Sequence, residues 1–217
     1  CRFFDTPVTG GNVSFYNESP NAAVYPTPTI GRVGLIEKVE NITTSFFKEE
    51  GNLIYVLGED FEELGGSEYL KVIHNKVIGD SPKINLEIEI KLLDSLLGFI
   101  EKELIESAHD VSEGGIISAI AECCIIDDVN PLGAEVNIPV KSREEFSLFS
   151  ESQSRVIVSI RKNNKDKFES YLNKQDQTFT FLGETKGTNL SVNNKIKVST
   201  KRLSELYYNT IPNIMNG

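Results

Sequence analysis

The residues of this chain whose types best suit chemistry lie near its start, in TPVTGGNVSFYNES. Gly10 and Gly11 lack Cβ atoms, so their N–H groups can approach a bulky anion such as phosphate closely. The amide oxygen of Asn12 is a hard donor that suits Mg²⁺ when phosphates supply the negative ligands. In a strand, the Ser14 hydroxyl projects to the same face as Asn12. The alternative is a tight turn before a strand, since Gly and Asn populate turns generally.

A second stretch, HDVSEGG, combines polar side chains with a glycine pair ahead of an apolar helix. His109 and Asp110 could serve as a base and a metal ligand. Ser112 can cap the helix, and ordinary capping is a sufficient explanation for a serine there. Capping does not explain Gly114 and Gly115, because glycine weakens a helix by up to about 1 kcal/mol relative to alanine. A helix N-terminus left open to an anion is one explanation for them.

A third stretch, FSESQSRVIVSI, crowds polar side chains just before an apolar strand. The polar members are Glu151, Ser152, Gln153 and Ser154. Loops at the ends of core strands commonly carry ligand contacts, whereas the alternative is a polar surface loop.

Interleaved helices and strands must position these stretches. Apolar residues at helical spacing predict an amphipathic helix over residues 87–107, and SAHDVSEGG is predicted as a polar turn before a second, buried helix. NLIYVLGE, SRVIVSI and TFTFLGETKG predict strands. A short helix with asparagine N-caps is predicted for NNKDKFESYLNKQ. A hairpin turn is predicted at Asn193-Asn194, and a terminal helix is predicted to begin at Ser199 or Thr200. The predicted class is mixed α/β (α+β).

Composition narrows the class of partner. Thirty-two acidic residues against twenty-two basic ones give a net charge of −10. A nucleic-acid surface or an anionic membrane is therefore not expected as a partner.

No apolar run approaches the roughly 18 to 20 residues that span a bilayer, and no secretory leader pattern opens the sequence, so a cytoplasmic protein is expected. Because the sequence starts at Cys1 and runs almost at once into its most specialised motif, we expect it to be part of a longer polypeptide.

Cysteine and histidine usage excludes two kinds of site. Cys123 and Cys124 are neighbours on a predicted helix and point about 100° apart, so no disulfide framework or CxxC metal site is available. Free Cys in an apolar helix is interpreted as core. His74 and His109 are the two histidines of the chain, which argues against a His-rich metal centre.

Taken together, GGNVSFYNES, YPTPTIGRVGLIE, LGGSEYL, HDVSEGG and ESQSR resemble, in that order, the C-terminal part of the phosphoribosylformylglycinamidine synthases. These are the formylglycinamide ribonucleotide amidotransferases of purine synthesis. The resemblance runs nearly end to end. GGNVSFYNE is specific to that family, whereas HDVSEGG is shared in looser form with aminoimidazole ribonucleotide synthetases.

The resemblance implies a domain organisation. Members of the family have two homologous halves, each an N-type α/β domain paired with a C-type α/β domain. Residues 1–63 resemble the end of the second N-type domain, and residues 64–217 a complete second C-type domain, with an aminoimidazole ribonucleotide synthetase-like fold. The catalytic histidine and an ATP-contacting lysine of the family lie in the first half, so the resemblance implies no catalytic residue on this chain.

The resemblance also implies an activity. The family amidates formylglycinamide ribonucleotide with ATP and Mg²⁺ as an ATP-dependent C–N ligase, and the isolated chain is expected to be inactive. By motif, Gly11 with its neighbour Gly10 contacts ATP, Asn12 binds Mg²⁺ and Ser14 contacts the ribonucleotide substrate. The implied partners are the N-terminal half of the same enzyme and, in a multi-subunit form, a separate glutaminase and a small accessory subunit.

Six further residues match motifs whose first-half copies bind substrate. In the second half, the equivalent pocket is an auxiliary site, so nucleotide or phosphate binding is expected there instead of catalysis. ESQSR departs from the first-half pattern, in which a second acidic residue follows Gln where Ser154 stands. The six candidates are His109, Asp110, Gly114, Gly115, Glu151 and Gln153.

An alternative of another class is a non-catalytic nucleotide-binding or assembly module of the same superfamily. The feature that would discriminate lies upstream of this sequence: a preceding homologous half of the polypeptide with its own HDxSDGG and ESQ motifs would favour the enzyme over this alternative. A sister ATP-dependent enzyme is a third possibility, against which GGNVSFYNE argues.

Overall fold

The computed structural model describes residues 1–12, 18–23 and 27–216 of the chain. By their internal contacts these residues form two units, Cys1–Glu40 and Asn41–Gly217. The smaller unit is largely exposed, and its described contacts include a hydrogen bond from Arg32 to Thr6 Oγ1 at 3.4 Å. The domain boundary expected between residues 63 and 64 falls inside the larger unit.

The larger unit alternates strands and helices along the chain. Its elements are β1 (Leu53–Leu57), α1 (Glu68–His74), α2 (Leu86–Glu101), β2 (Ser107–Asp110), α3 (Gly115–Ile125), β3 (Ala134–Val136), α4 (Glu144–Phe149), β4 (Val156–Ile160), α5 (Lys165–Lys174), β5 (Phe179–Thr185), β6 (Asn189–Val192), β7 (Ile196–Ser199) and α6 (Thr200–Asn216). Short 3₁₀ helices cover Val39–Asn41 and Lys162–Asn164. The predicted mixed α/β class is confirmed.

Seven strands form one sheet in the order β2-β4-β1-β5-β3-β6-β7. Every pairing is antiparallel except the β3–β6 pair, which is parallel. β1 lies inside the sheet, between β4 and β5, and all five of its residues are buried. This burial explains why LIYVL is apolar throughout and does not alternate.

The sheet separates two apolar cores. Leu53, Tyr55 and Leu57 of β1 pack on one face, against α2 and α5, while Ile54 and Val56 pack on the other, against α3. Successive strand residues face opposite sides, so one strand contributes to both cores. The polar loops at the strand ends are thereby held on a rigid, doubly covered sheet.

Several local predictions are confirmed. The hairpin β6–β7 turns at Asn193 and Asn194, which have φ values of 53° and 54°, as a tight hairpin turn requires. Helices α5 and α6 lie where the sequence predicts them, and α6 begins at Thr200.

Two local expectations are wrong, and a third, the Asn N-cap, is confirmed in its position but not in its capping bond. The amphipathic helix ends at Glu101, not near residue 107, although the apolar spacing continues through Leu104 and Ile105. SAHD is not a turn but the edge strand β2, because it pairs with β4. Asn164 is the N-cap of α5, but its side chain makes no capping bond and instead donates to the Glu103 carbonyl at 3.3 Å.

None of the helices in the described ranges combines the length and the apolar character that a membrane span needs.

Candidate functional site

The pairing of β2 with β4 brings the HDVSEGG and ESQSR stretches side by side. Asp110 is opposite Val156 in the register, and the N–H of Val111 donates to the carbonyl of Arg155 at 2.9 Å. Because the strands are antiparallel, the end of β2 meets the start of β4. The sheet thus joins two motifs that lie about forty residues apart in sequence.

A cavity of about 370 Å³ lies at this junction, beneath helix α2. Asp110, Ser112 and Gln153 line it from the two loops, and Glu89 lines it from α2. Its apolar wall includes Leu92, Leu93, Leu96, Ala108 and Val156. A concave site with an apolar wall and a few converging polar groups is the usual form of a small-molecule site.

The acidic wall residue Glu89 was missed by the sequence analysis. It lies three, four and seven positions before Leu92, Leu93 and Leu96, and so shares the buried face of α2. An acidic residue on the apolar face of a helix is a signal that could have identified it.

His109 lies on the opposite face of the sheet from this cavity. Its neighbours on β2, Ala108 and Asp110, line the cavity, whereas the His109 ring packs toward α3, with Nε2 3.0 Å from Glu122 Oε2. Its Nδ1 is 2.7 Å from the backbone carbonyl of Asp110. Strand alternation therefore separates the adjacent His and Asp of the motif.

Both ring nitrogens of His109 face oxygen acceptors, which favours the doubly protonated imidazolium. The hydrogen bond to Glu122 is the main cause that raises the pKa of His109 above its usual value, against the opposing effect of burial. The ring is an electrostatic link between β2 and α3.

Glu151 joins three segments around the junction. Its Oε1 accepts from the N–H of Gly114 at 2.8 Å and from the N–H of Glu68 at 2.9 Å, and its own N–H donates to the Glu63 carbonyl at 3.0 Å. Gly114 precedes α3 and Glu68 opens α1, so one carboxylate lies at two helix N-termini, where negative charge is favoured.

The glycine pair has a packing role in this arrangement. Gly114 is the N-cap of α3 with φ 78°, and Gly115 has φ 71°. A Cβ at Gly115 would lie 2.7 Å from backbone atoms of Leu148 and Phe149, so only glycine lets α3 approach the end of α4 this closely. Ser112 is not a side-chain cap; its carbonyl accepts from the N–H of Gly115 at 3.1 Å.

The remaining polar residues of ESQSR hold the loop together. Gln153 is exposed, and its Nε2 donates to the Glu151 carbonyl at 3.3 Å. Ser154 has φ 60° and donates its hydroxyl to Glu89 Oε2 at 2.6 Å. This bond ties the loop to α2 across the cavity.

Arg155 is the buried centre of the loop, and the sequence analysis assigned it no role. Its side chain is 1% exposed, with Nε donating to the Ser152 carbonyl at 3.0 Å and Nη2 to the Ser150 carbonyl at 2.6 Å. Asp60 Oδ1 is 3.6 Å from Nη1. Burial lowers the pKa of Arg155, partly opposed by the charges of Asp60 and Glu63.

The glycine-asparagine motif lies in the smaller unit. Gly10, Gly11 and Asn12 are exposed, and a Cβ at either glycine would meet no atom of the described residues within 4 Å. No local packing requirement therefore accounts for these two glycines among the described residues. Ser14 lies outside the described residues.

In the part of the chain that the structure describes, no group of three or more His, Cys, Asp and Glu side chains is arranged to hold a metal ion by itself. Cys123 and Cys124 are buried in the core, as expected, and burial raises the pKa of Cys124 to about 12. Burial and a raised pKa keep a thiol in its protonated form, which is a poor nucleophile at neutral pH.

Residues 49–193 match the family described as AIR synthase related protein, C-terminal domain. The fold resembles that of Thermotoga maritima PurL solved with ATP, with 21% identity over 76% of this chain and 28% of that chain and a TM-score of 0.58. The same protein solved with FGAR matches with 20% identity, 76% and 30% coverage and a TM-score of 0.59. Escherichia coli HypE, a hydrogenase maturation protein, matches with 15% identity, 73% and 52% coverage and a TM-score of 0.50.

The chain thus spans less than a third of the length of the PurL chains it resembles. At these identities the structural likeness concerns the fold. The match over residues 49–193 covers most of the chain. The chain belongs to the AIR synthase related protein family, through the C-terminal domain of that family.

Proposed function

We propose that this chain is the C-terminal part of a phosphoribosylformylglycinamidine synthase, the enzyme that amidates formylglycinamide ribonucleotide with ATP in purine synthesis. The observation that carries the proposal is the cavity where HDVSEGG and ESQSR meet, because it lies in a domain of the AIR synthase related family. The motif GGNVSFYNE supports the particular enzyme within that family.

Within this proposal, the cavity is an auxiliary nucleotide site. Asp110, Ser112 and Gln153 present oxygen atoms of the kind that Mg²⁺ prefers. Mg²⁺ is usually held by one or two carboxylates together with phosphates, so a protein-only cluster is not required. When bound, the ion neutralises phosphate charge.

The charge of the cavity favours a nucleotide that enters as its Mg²⁺ complex. Asp110 and Glu89 are acidic, and the donors of Arg155 are directed to the Ser150 and Ser152 carbonyls. A polyphosphate without Mg²⁺ would therefore be repelled by the carboxylates of Asp110 and Glu89.

The loop of Gly10, Gly11 and Asn12 is proposed to contribute to the reaction itself. The glycines let the backbone approach the ATP phosphates, Asn12 offers its amide oxygen to Mg²⁺, and Ser14 contacts the ribonucleotide. The residues that complete this site belong to the N-terminal half of the enzyme, which is the proposed partner. A glutaminase and a small accessory subunit are further partners if the enzyme has several subunits.

The test is ATP-dependent amidation by the full-length enzyme, supplied with ammonia, Mg²⁺ and formylglycinamide ribonucleotide. We expect Asn12→Ala to lower kcat roughly 100-fold or more, and raised Mg²⁺ to recover part of the loss. Asn21→Ala, which changes an exposed asparagine outside the motif, is the matched control and should retain activity. Equal rates for both variants would contradict the metal role, as would amidation by this chain alone.

One observation favours the alternative, a non-catalytic nucleotide-binding or assembly module, in its assembly form. The Glu151 carboxylate already accepts from the N-termini of α1 and α3, and Gly115 is explained by packing. On this alternative, ESQSR and HDVSEGG are structural motifs. Mg²⁺-dependent ATP binding by the chain separates a nucleotide site from a purely structural junction, since Asp110→Asn weakens it only if the cavity is a nucleotide site, and the amidation assay above separates the enzyme from a non-catalytic nucleotide-binding module.

A further inference from the structure

A second concave surface lies at the other end of the β2–β4 pair. It is a groove of about 600 Å³ where the segment after α2 faces helix α5. Four cationic side chains line it, together with the polar Asn163 and Ser170. The cations are Lys102, Arg161, Lys167 and Lys174.

The groove is separate from the cavity described above. Leu104 precedes β2 and Arg161 follows β4, whereas Asp110 and Gln153 line the first cavity from the far ends of the same strands. No lining residue is shared between the two surfaces.

The charge of the groove is opposite to that of the protein, whose net charge is −10. Glu103 is the one acidic residue among the described lining residues. Arg161 is paired with Glu106 at 3.1 Å, but Lys102, Lys167 and Lys174 make no ion pair within the described ranges. Like charges gathered on one concave surface repel one another and raise the local concentration of anions.

Local contacts hold part of the groove wall in place. Asn163 and Asn164 line the groove just before α5, and the side-chain amide of Asn164 donates to the Glu103 carbonyl at 3.3 Å. Lys102 Nζ is held 5.2 Å from the Tyr171 ring centroid, which positions one of the cations.

We propose that this groove binds a small molecule that carries two or more linked phosphate groups. Its volume lies within the range of small-molecule sites, and its unpaired cations match several negative charges on one ligand. The proposal does not depend on the amidotransferase assignment.

The probe is inorganic pyrophosphate with EDTA present, so that any site that needs a divalent ion does not bind the pyrophosphate. Binding is followed by amide chemical shifts of the full ¹⁵N-labelled chain. We expect shifts centred on residues 102–104, 161–164 and 167–174, with an affinity that falls as salt is raised.

The variant is Lys167→Ala with Lys174→Ala, which removes two exposed cations and leaves the core intact. We expect the pyrophosphate Kd to rise about tenfold or more. Lys197→Ala with Lys201→Ala is the matched control, since both lysines are exposed and lie outside the groove. The proposal is overturned if both pairs change the Kd equally, if the shifts lie elsewhere, or if sulfate binds as tightly as pyrophosphate.

Discussion

Replacing Glu122 with Gln tests the electrostatic link between β2 and α3. In the folded chain His109 Nε2 lies 3.0 Å from Glu122 Oε2 and Nδ1 lies 2.7 Å from the Asp110 carbonyl, so the protonated ring donates to both. The His109 side chain is 10% exposed and that of Glu122 is 35% exposed. Glutamine keeps the shape and removes the charge, so the substitution isolates the electrostatic contribution.

The direction of the pH dependence follows from the raised pKa of His109. A group that binds its proton more tightly when folded stabilises the fold fully below its unfolded pKa, about 6.5, and this stabilisation is lost as the pH rises through the folded value. A charge-assisted hydrogen bond contributes roughly 1.5–3 kcal/mol, and partial exposure of Glu122 screens it. We therefore expect Glu122→Gln to lower the free energy of unfolding by about 1–2 kcal/mol at pH 6.

The assay is urea unfolding followed by circular dichroism between pH 6 and pH 8.5. The difference between wild type and variant should shrink as the pH rises. Burial also raises the pKa of Cys123, so its ionisation in the unfolded chain lowers stability at high pH in both proteins alike. Glu135→Gln is the control, because its carboxylate pairs with the exposed Lys186 and should give no pH-dependent difference in this window. A constant difference across the range, or none at pH 6, would refute the reasoning.

The other stability predictions concern the loops around the cavity. Gly115→Ala should destabilise the fold by about 3 kcal/mol in urea unfolding, because it combines φ 71° with backbone atoms of Phe149 at 2.7 Å. Gly66→Ala, which shares φ 71° but meets no atom within 4 Å, should cost about 1 kcal/mol, and equal losses would contradict the packing role. Arg155→Met should cost about 2–4 kcal/mol because it leaves the Ser150 and Ser152 carbonyls without their buried donor, while Asp60 keeps the Ser150 hydroxyl and the Glu62 N–H; a loss below about 1 kcal/mol would contradict this.

The sequence predicts individual elements well where the signal is local. Asn193-Asn194 identifies the hairpin because this pair tolerates positive φ, and LIYVL identifies a buried strand because it has no polar face. Local patterns fail at the end of α2, where Leu104 and Ile105 continue the helical spacing but the chain leaves the helix to enter β2.

The candidate site is predicted in part. HDVSEGG and ESQSR were identified from residue type and spacing, and the structure brings Asp110 and Gln153 to one cavity. It does not bring His109 there, because neighbours on a strand face opposite sides of the sheet. The ligand roles of Gly10, Gly11, Asn12 and Ser14, and of the auxiliary-site candidates, stay predictions.

By itself, the sequence determined several of the short strands, helices and turns, among them β1, β4, α5, α6 and the β6–β7 hairpin, because periodicity and turn preference act over a few neighbouring residues. It also determined the family resemblance through motifs that are contiguous in the chain. Only the tertiary structure decided which segments meet. The pairing of β2 with β4 aligns two motifs at the cavity, and the segment after α2 packs beside α5 and brings Lys102 to the lysines of that helix, since these contacts join residues too far apart for any local pattern to record.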